Sequence, residues 1–372
     1  MQNIAQPWLA YSLTGSPFLL SLVGALQFTP ILFFSLFAGV LLDRFPKKNI
    51  LLITQFCSVV VTILPAILIW TGQIRYWHLI VLATALGFIN TLDIPARHTL
   101  VTELVEKKNI MNAIALNSSL FNVARIVGPA LAGIIMGYTS IAFCFFLNSL
   151  SFIAMITGLL FIKPEPKSRI IHSVSIIQDI KDGLRYIYKS KNLFGTIINV
   201  AIVAAFAMNF SVLIPVFTKV ILNGKETGFG LLMSSMGIGS LCGALGVAIT
   251  SKRGPRHFNL YITPWLIAFM LVLTGLMNSF FLTAICLLLT GFFFVSFSST
   301  CNSNIQINSE DHYRGRVMSV YTLVFSGTTP VGNLYAGFFA DHFGPRAGFF
   351  SCGIAIIILI GFLYLIRMNS KG

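Results

Sequence analysis

The chain has 372 residues, of which 56% are hydrophobic and only 10% are charged. Soluble domains carry about 25% charged residues, so an ordinary cytosolic enzyme, a disordered chain and a secreted disulfide scaffold are excluded, and a polytopic helical membrane protein is expected. The net charge of +14 would suit nucleic acid only on a soluble basic domain; none is visible, so no nucleic-acid partner is expected and the charge belongs in loops.

The first stretch, Met1 to Leu13, is apolar and ends at Thr14-Gly15-Ser16-Pro17, a strong helix breaker. It reaches only about 20 Å as a helix, short of a hydrocarbon core of about 30 Å. No basic region precedes it as in a signal peptide, so it reads as the second half of a first span whose front lies upstream or has been lost.

Eleven complete spans follow, at 17–42, 50–71, 78–97, 110–136, 141–162, 193–219, 228–250, 260–278, 280–303, 314–339 and 345–366. The polar segment 163–192 leaves five before it and six after. The expected fold is therefore all-α: two pseudo-symmetric six-helix bundles, 1–162 and 193–372, joined by a cytoplasmic linker. A short basic loop running from Gly39 to Lys48 recurs in outline from Gly246 to Arg256, which supports a repeat. In the linker, Ile176, Ile177, Ile180, Leu184 and Ile187 share one helical face, predicting a basic amphipathic helix lying on the bilayer.

Twenty of the 25 Lys and Arg residues fall in alternate connections, among them Arg44, Lys47, Lys48, Arg97, Arg314 and Arg316, and in the tail with Arg367 and Lys371. Arg75, Lys219, Lys225 and Arg346 fall on the other side. This bias places the first set and the C-terminus in the cytoplasm. Arg125 remains, inside a span. A charge there costs about 2.5–3.5 kcal/mol on insertion scales, so it needs a cavity or a partner. Ser118, Asn122, Arg125, Pro129 and Gly133 are spaced to share one helical face, a polar and small stripe expected to line a central cavity. Arg125 is the expected contact for an anionic substrate or a coupling carboxylate. Asp93 and Arg97 lie four apart near a cytoplasmic helix end, with Pro95 between them expected to distort their pairing.

Gly39-x-x-x-Asp43-Arg44-x-x-Lys47-Lys48 resembles the loop signature of the major facilitator superfamily, and the resemblance covers nearly the whole chain. Leu13 to Pro17, Asp93-Ile94-Pro95-Ala96-Arg97, Ala124 to Gly133 and Arg314-Gly315-Arg316-Val317-Met318-Ser319 are similar to an exporter branch that includes relatives of the enterobactin exporter and macrolide efflux pumps. The resemblance implies that Gly39, Gly128, Pro129 and Gly133 serve close helix packing, although Ala124 and Ala132 stand where glycine is usual. It implies a cytoplasmic gate of Asp43 and Arg44, joined by Asp93, Arg97, Arg314 or Arg316, which protonation of an acid would loosen. Asp93 is the expected proton carrier. The other acids, Glu226 and Asp341 included, read as loop or helix-end residues.

The six cysteines and six histidines are scattered, with no C-x-x-C, H-E-x-x-H, P-loop or G-x-S-x-G, so no metal, cofactor or enzymatic activity is expected. The expected function is proton-coupled export of amphipathic small molecules, a siderophore or a drug, by a monomer in the bacterial inner membrane. A nutrient importer of the same fold and a transport-inactive scaffold are the alternatives.

Overall fold

The computed structural model describes residues 1–106, 109–162, 176–250 and 256–369, and every regular element among them is a helix. In chain order these are α1 (Gln2–Thr14), α2 (Pro17–Arg44), α3 (Lys47–Trp70), α4 (Tyr76–Glu103), α5 (Ile110–Tyr138) and α6 (Ile141–Phe161). Then come α7 (Ile176–Lys189), α8 (Lys191–Ala207), α9 (Phe210–Val220), α10 (Glu226–Thr250), α11 (His257–Tyr261) and α12 (Thr263–Leu276), followed by α13 (Phe280–Ile307), α14 (Asp311–Gly327), α15 (Thr329–Phe343) and α16 (Pro345–Asn369). Lipid offers no hydrogen bonds, so a crossing segment must satisfy its backbone internally, and helices do this. Their ends follow local chemistry. Gly15 closes α1 at φ 65°, its N–H donating to the Tyr11 carbonyl at 2.9 Å. Ser16 then caps α2, accepting from the Leu19 N–H at 3.2 Å, with Pro17 opening the helix. Ser140 and Ser190 cap α6 and α8 in the same way.

Nine of the described helical stretches are long and apolar enough to cross a membrane. The predicted spans at 260–278 and 314–339 are each two helices in succession, α11–α12 and α14–α15. Pro264 and Pro330 explain these breaks: each lacks an N–H and disfavours helical geometry in the residue before it. The predicted span 193–219 also breaks, between α8 and α9, where the Asn209 side-chain amide donates to the Ala205 carbonyl at 2.9 Å.

Two groups of helices pack among themselves: α2, α3, α4 and α6 in one, and α10, α12, α13, α15 and α16 in the other. Two seams join them, α5 against α10 and α2 against α15. Small residues set the first seam. A methyl group at Gly230 would sit 2.6 Å from the Pro129 carbonyl oxygen and 2.7 Å from Gly133 Cα, so a larger residue cannot fit without parting the helices. Gly337 meets Ser21 as closely in the second seam. Gly128, by contrast, faces open space, so the packing role implied for it falls to Gly133 alone in this part of α5. The side chain of Asp43 and the surroundings of Gly39 and Ser118 lie outside the described residues.

The linker helix α7 is turned otherwise than its sequence pattern suggests. Gly183 packs on the backbone at Arg316, Tyr186 stacks on Tyr313 at 4.5 Å, and Ile187 is buried, while Leu184 faces outward. The helix is clamped to α14, and only part of its apolar face is left for lipid. The predicted positions Ile176, Ile177 and Ile180 have side chains outside the described residues.

The seam makes a contrast between two glycines, Gly230 of α10 and Gly128 of α5. Gly230→Ala should lower the thermal unfolding midpoint of the purified protein, at a cost of about 1–3 kcal/mol. Gly128→Ala should leave it unchanged or raise it slightly, because alanine is the better helix former by about 1 kcal/mol and nothing opposes its methyl group.

Candidate functional site

Arg125 lies midway along α5, on the face that meets α10. Its carbonyl oxygen would be 2.8 Å from a methyl group at Gly237, and the neighbouring Ile126 carbonyl accepts from Ser234 Oγ at 2.8 Å. The seam thus runs past Arg125 at backbone contact. The guanidinium itself is half-buried, and among the described residues no hydrogen bond or ion pair reaches it. Asn122, one turn away, is also half-buried and equally unpartnered.

Asp93 is buried between α3 and α4. One carboxylate oxygen accepts from Thr54 Oγ1 at 2.9 Å and from Gln55 Nε2 at 2.5 Å; the other pairs with Arg97 at 2.8 Å. Contrary to the expectation from sequence, Pro95 does not distort the pair: α4 runs unbroken through it, and residues four apart stay on one face. Charge-assisted bonds from three donors hold the carboxylate. The opposite oxygen of Gln55 is buried without a partner.

Two members of the expected gate, Asp93 and Arg97, are engaged with each other and with α3. Arg316 pairs with Asp182 of α7 at 3.7 Å, and Arg314 Nε donates to the Gln306 carbonyl at 3.0 Å. Arg44 is exposed.

The ends of the helices differ in charge: Arg44, Arg97 and Arg316 mark a basic end, and Lys219, Lys225 and Arg346 a sparse one. At the sparse end the structure brings together residues that the sequence kept apart. Trp8 Nε1 donates to Glu226 Oε1 at 3.0 Å, and Ser16 Oγ donates to Asp341 Oδ1 at 2.7 Å. Lys219 lies over the Tyr11 ring at 5.3 Å from its centre. No local signal marks these pairs, whose members are separated by 218, 325 and about 200 residues; that scale of separation is what two docked halves produce.

Polar side chains also run through the interior. Asn148 donates to Gln2, Gln2 to Gln6, and Gln6 to Gln27, each at 3.1–3.2 Å, linking α6, α1 and α2. Asn209 at the α8–α9 break, and Thr329 and Asn333 beside the α14–α15 break, are buried with side-chain atoms unpartnered. All six cysteines are free, and no metal-binding group of His, Cys, Asp or Glu occurs among the described residues.

The profile of the transmembrane secretion effector family matches residues 1–371. The chain belongs to this family of the major facilitator superfamily. This transporter is 26% identical to the staphyloferrin A transporter of Staphylococcus aureus, over 99% of its own length and 92% of that protein's. It is 22% identical to macrolide efflux protein A of Streptococcus pyogenes, over 93% and 86%. It is 23% identical to the multidrug efflux pump Tap of Mycolicibacterium fortuitum, over 96% and 89%. Among solved structures it superposes on a D-xylose–proton symporter with a TM-score of 0.79 at 11% identity, covering 98% of this chain and 93% of that one. A nucleoside transporter matches with a TM-score of 0.77 at 10% identity, over 98% and 94%. The transporter is thus a multi-pass membrane protein with the major facilitator fold, a secondary transporter.

The Asp93 cluster of this transporter makes a test of its own. Asp93→Ala leaves Thr54, Gln55 and Arg97 without their acceptor and should destabilise the protein by about 2 kcal/mol. Asp93→Asn keeps an oxygen for Thr54 and Gln55 and should lose less. Thermal unfolding in detergent reads both.

Proposed function

We propose that this transporter exports amphipathic small molecules bearing an anionic group, of the siderophore or drug kind, by alternating access coupled to inward proton movement. The observation that carries the reading is Arg125: a guanidinium at mid-helix depth, half-buried at the seam between the halves, with no partner of its own. Such a charge is costly unless something neutralises it, and a substrate anion passing along the seam does so. The relatives named as siderophore transporter, macrolide efflux protein and multidrug pump support export of such compounds. Asn122 and Ser118 extend the binding face.

The basic helix ends and the C-terminus face the cytoplasm of a bacterial cell, following the bias of lysine and arginine. The halves 1–162 and 193–372 rock about their two seams, with 163–192 as the connector, and a monomer suffices. With the sparse end sealed by its cross-contacts, the conformation described here is the one that loads from the cytoplasm. Asp93 takes the proton: neutralising it weakens its charge-assisted bond to Arg97 and frees that arginine. When the basic end closes, Arg97 joins Asp43, Arg44, Arg314 and Arg316 in the gate, and Arg316 leaves Asp182.

The test expresses the chain in a bacterium lacking its major efflux pumps and follows intracellular accumulation of a labelled macrolide and secretion of siderophore. The intact chain should lower the first or raise the second. Arg125→Ala should abolish the effect at unchanged membrane abundance, and Arg125→Lys should restore part of it. Full export by Arg125→Ala removes the proposal, and raised accumulation with the intact chain favours the importer.

A further inference from the structure

A seal at one end of a transporter must hold while the other end is open and must yield in every cycle. Hydrophobic packing alone gives no signal for when to yield; ionisable contacts do. The sparse end carries such contacts, and they are laid out with one polarity. The hydrogen-bond donors belong to α1 and α2, and the carboxylates that accept belong to α10 and α15.

Glu226 stands at the start of α10. Its Oε1 accepts from the Trp8 indole, and that ring is held from the other side by stacking on Phe229 at 5.7 Å. Asp341, near the end of α15, accepts at one oxygen from Ser16 Oγ at 2.7 Å and from the Phe18 N–H at 3.4 Å. It therefore sits over the first turn of α2, where unpaired N–H groups and the helix dipole favour a negative charge. Both carboxylates hold the seal best when ionised, because bonds to a charged acceptor are roughly twice as strong as neutral ones.

The charges around the two acids come from several elements. Among the described residues neither is in an ion pair. Lys225 adjoins Glu226 in the chain, and Lys219 of α9 is engaged on the Tyr11 ring. Tyr11 of α1 lies within electrostatic reach of Asp341. His342 follows Asp341 and has a ring nitrogen 3.1 Å from the Phe338 carbonyl. At the same end Arg346 is bonded to Asn278, and the His78 ring accepts from the Arg75 N–H.

We propose that Glu226 and Asp341 are proton-binding sites of the sparse-end seal: protons arriving from the medium bind the two carboxylates, weaken their bonds to Trp8, Ser16 and Phe18, and let the halves part at that end. The sign follows from linkage. The bonds from Trp8, Ser16 and Phe18 favour the ionised acids in the sealed state, so protonation removes that state's advantage over the open one. Outside acidity then favours the outward-open state, the direction an exporter driven by protons requires. This rests on the orientation proposed above, and the experiment separates the two.

A single cysteine reports the seal. Ser21 is fully buried in the seam against Gly337, and Ser21→Cys is introduced into a chain whose six natural cysteines are replaced. A membrane-impermeant maleimide is applied to right-side-out and inside-out vesicles. Labelling is normalised to Tyr138→Cys, an exposed position at the sparse end of α5, to remove the reagent's own pH dependence. At about pH 7.5, Glu226→Gln with Asp341→Asn should label from the outside roughly tenfold faster than the parent, since each loses a charge-assisted bond. Lowering the outside pH to about 4.5 should accelerate the parent and leave the double variant unchanged. A double variant that labels as slowly as its parent, or one that keeps the full pH response, overturns the proposal. Labelling from inside-out vesicles alone would overturn the orientation, and the same comparison in those vesicles would still decide the proton sites.

Discussion

Gly133 and Gly230 place two helix backbones in contact at the seam between α5 and α10, where a methyl group on either would collide with the other. Lipid tails are as apolar as leucine, so burying apolar surface does little to drive such helices together; close van der Waals contact and hydrogen bonds must do it. That contact fixes where Arg125 lies. Two turns along the same face of α5, the seam still touches at backbone level, yet the side chain at this position is long and charged. The halves are thus joined tightly enough to define an interface and leave a guanidinium on it.

The membrane crossings were legible because apolar runs of about 20 residues have few other uses. The breaks within them were not read, although Pro264 and Pro330 signalled two of the three. Hydropathy does not register a proline in an apolar run, whereas the backbone does, through a missing donor and a restricted preceding residue. At Asn209 the cause is a side chain competing for a carbonyl of its own helix, and nothing in the local pattern distinguishes it from an amide serving another helix.

Site residues divide along the same line. Arg125 was legible since a lone charge in an apolar run stands out. The Asp93–Arg97 pair was visible as a spacing, but its Thr54 and Gln55 partners come from another helix. Glu226 and Asp341 were dismissed as helix-end acids because their partners, Trp8 and Ser16, lie in the opposite half of the chain. Of the basic-end residues resembling a gate, Asp93 and Arg97 are bound to each other, and Arg316 pairs with Asp182 of the linker helix, a partner that no spacing along the chain announces. Gly128 and Gly133 looked alike in the motif, and only packing separates the one in contact from the one in open space.

The two acids at the sparse end and the unpartnered arginine at the middle fit one cycle, in which a seam that is closed at one end opens there as the other closes. The most direct test of that movement is to forbid it. A Cβ built at Gly137 of α5 lies 3.8 Å from Thr227 Cβ of α10, the usual separation in a disulfide. In a chain with the natural cysteines replaced, Gly137→Cys with Thr227→Cys should cross-link under oxidation and pin the sparse end shut. The account predicts that efflux of a labelled macrolide stops in the cross-linked protein and returns on reduction; undiminished efflux from a fully cross-linked protein would contradict it.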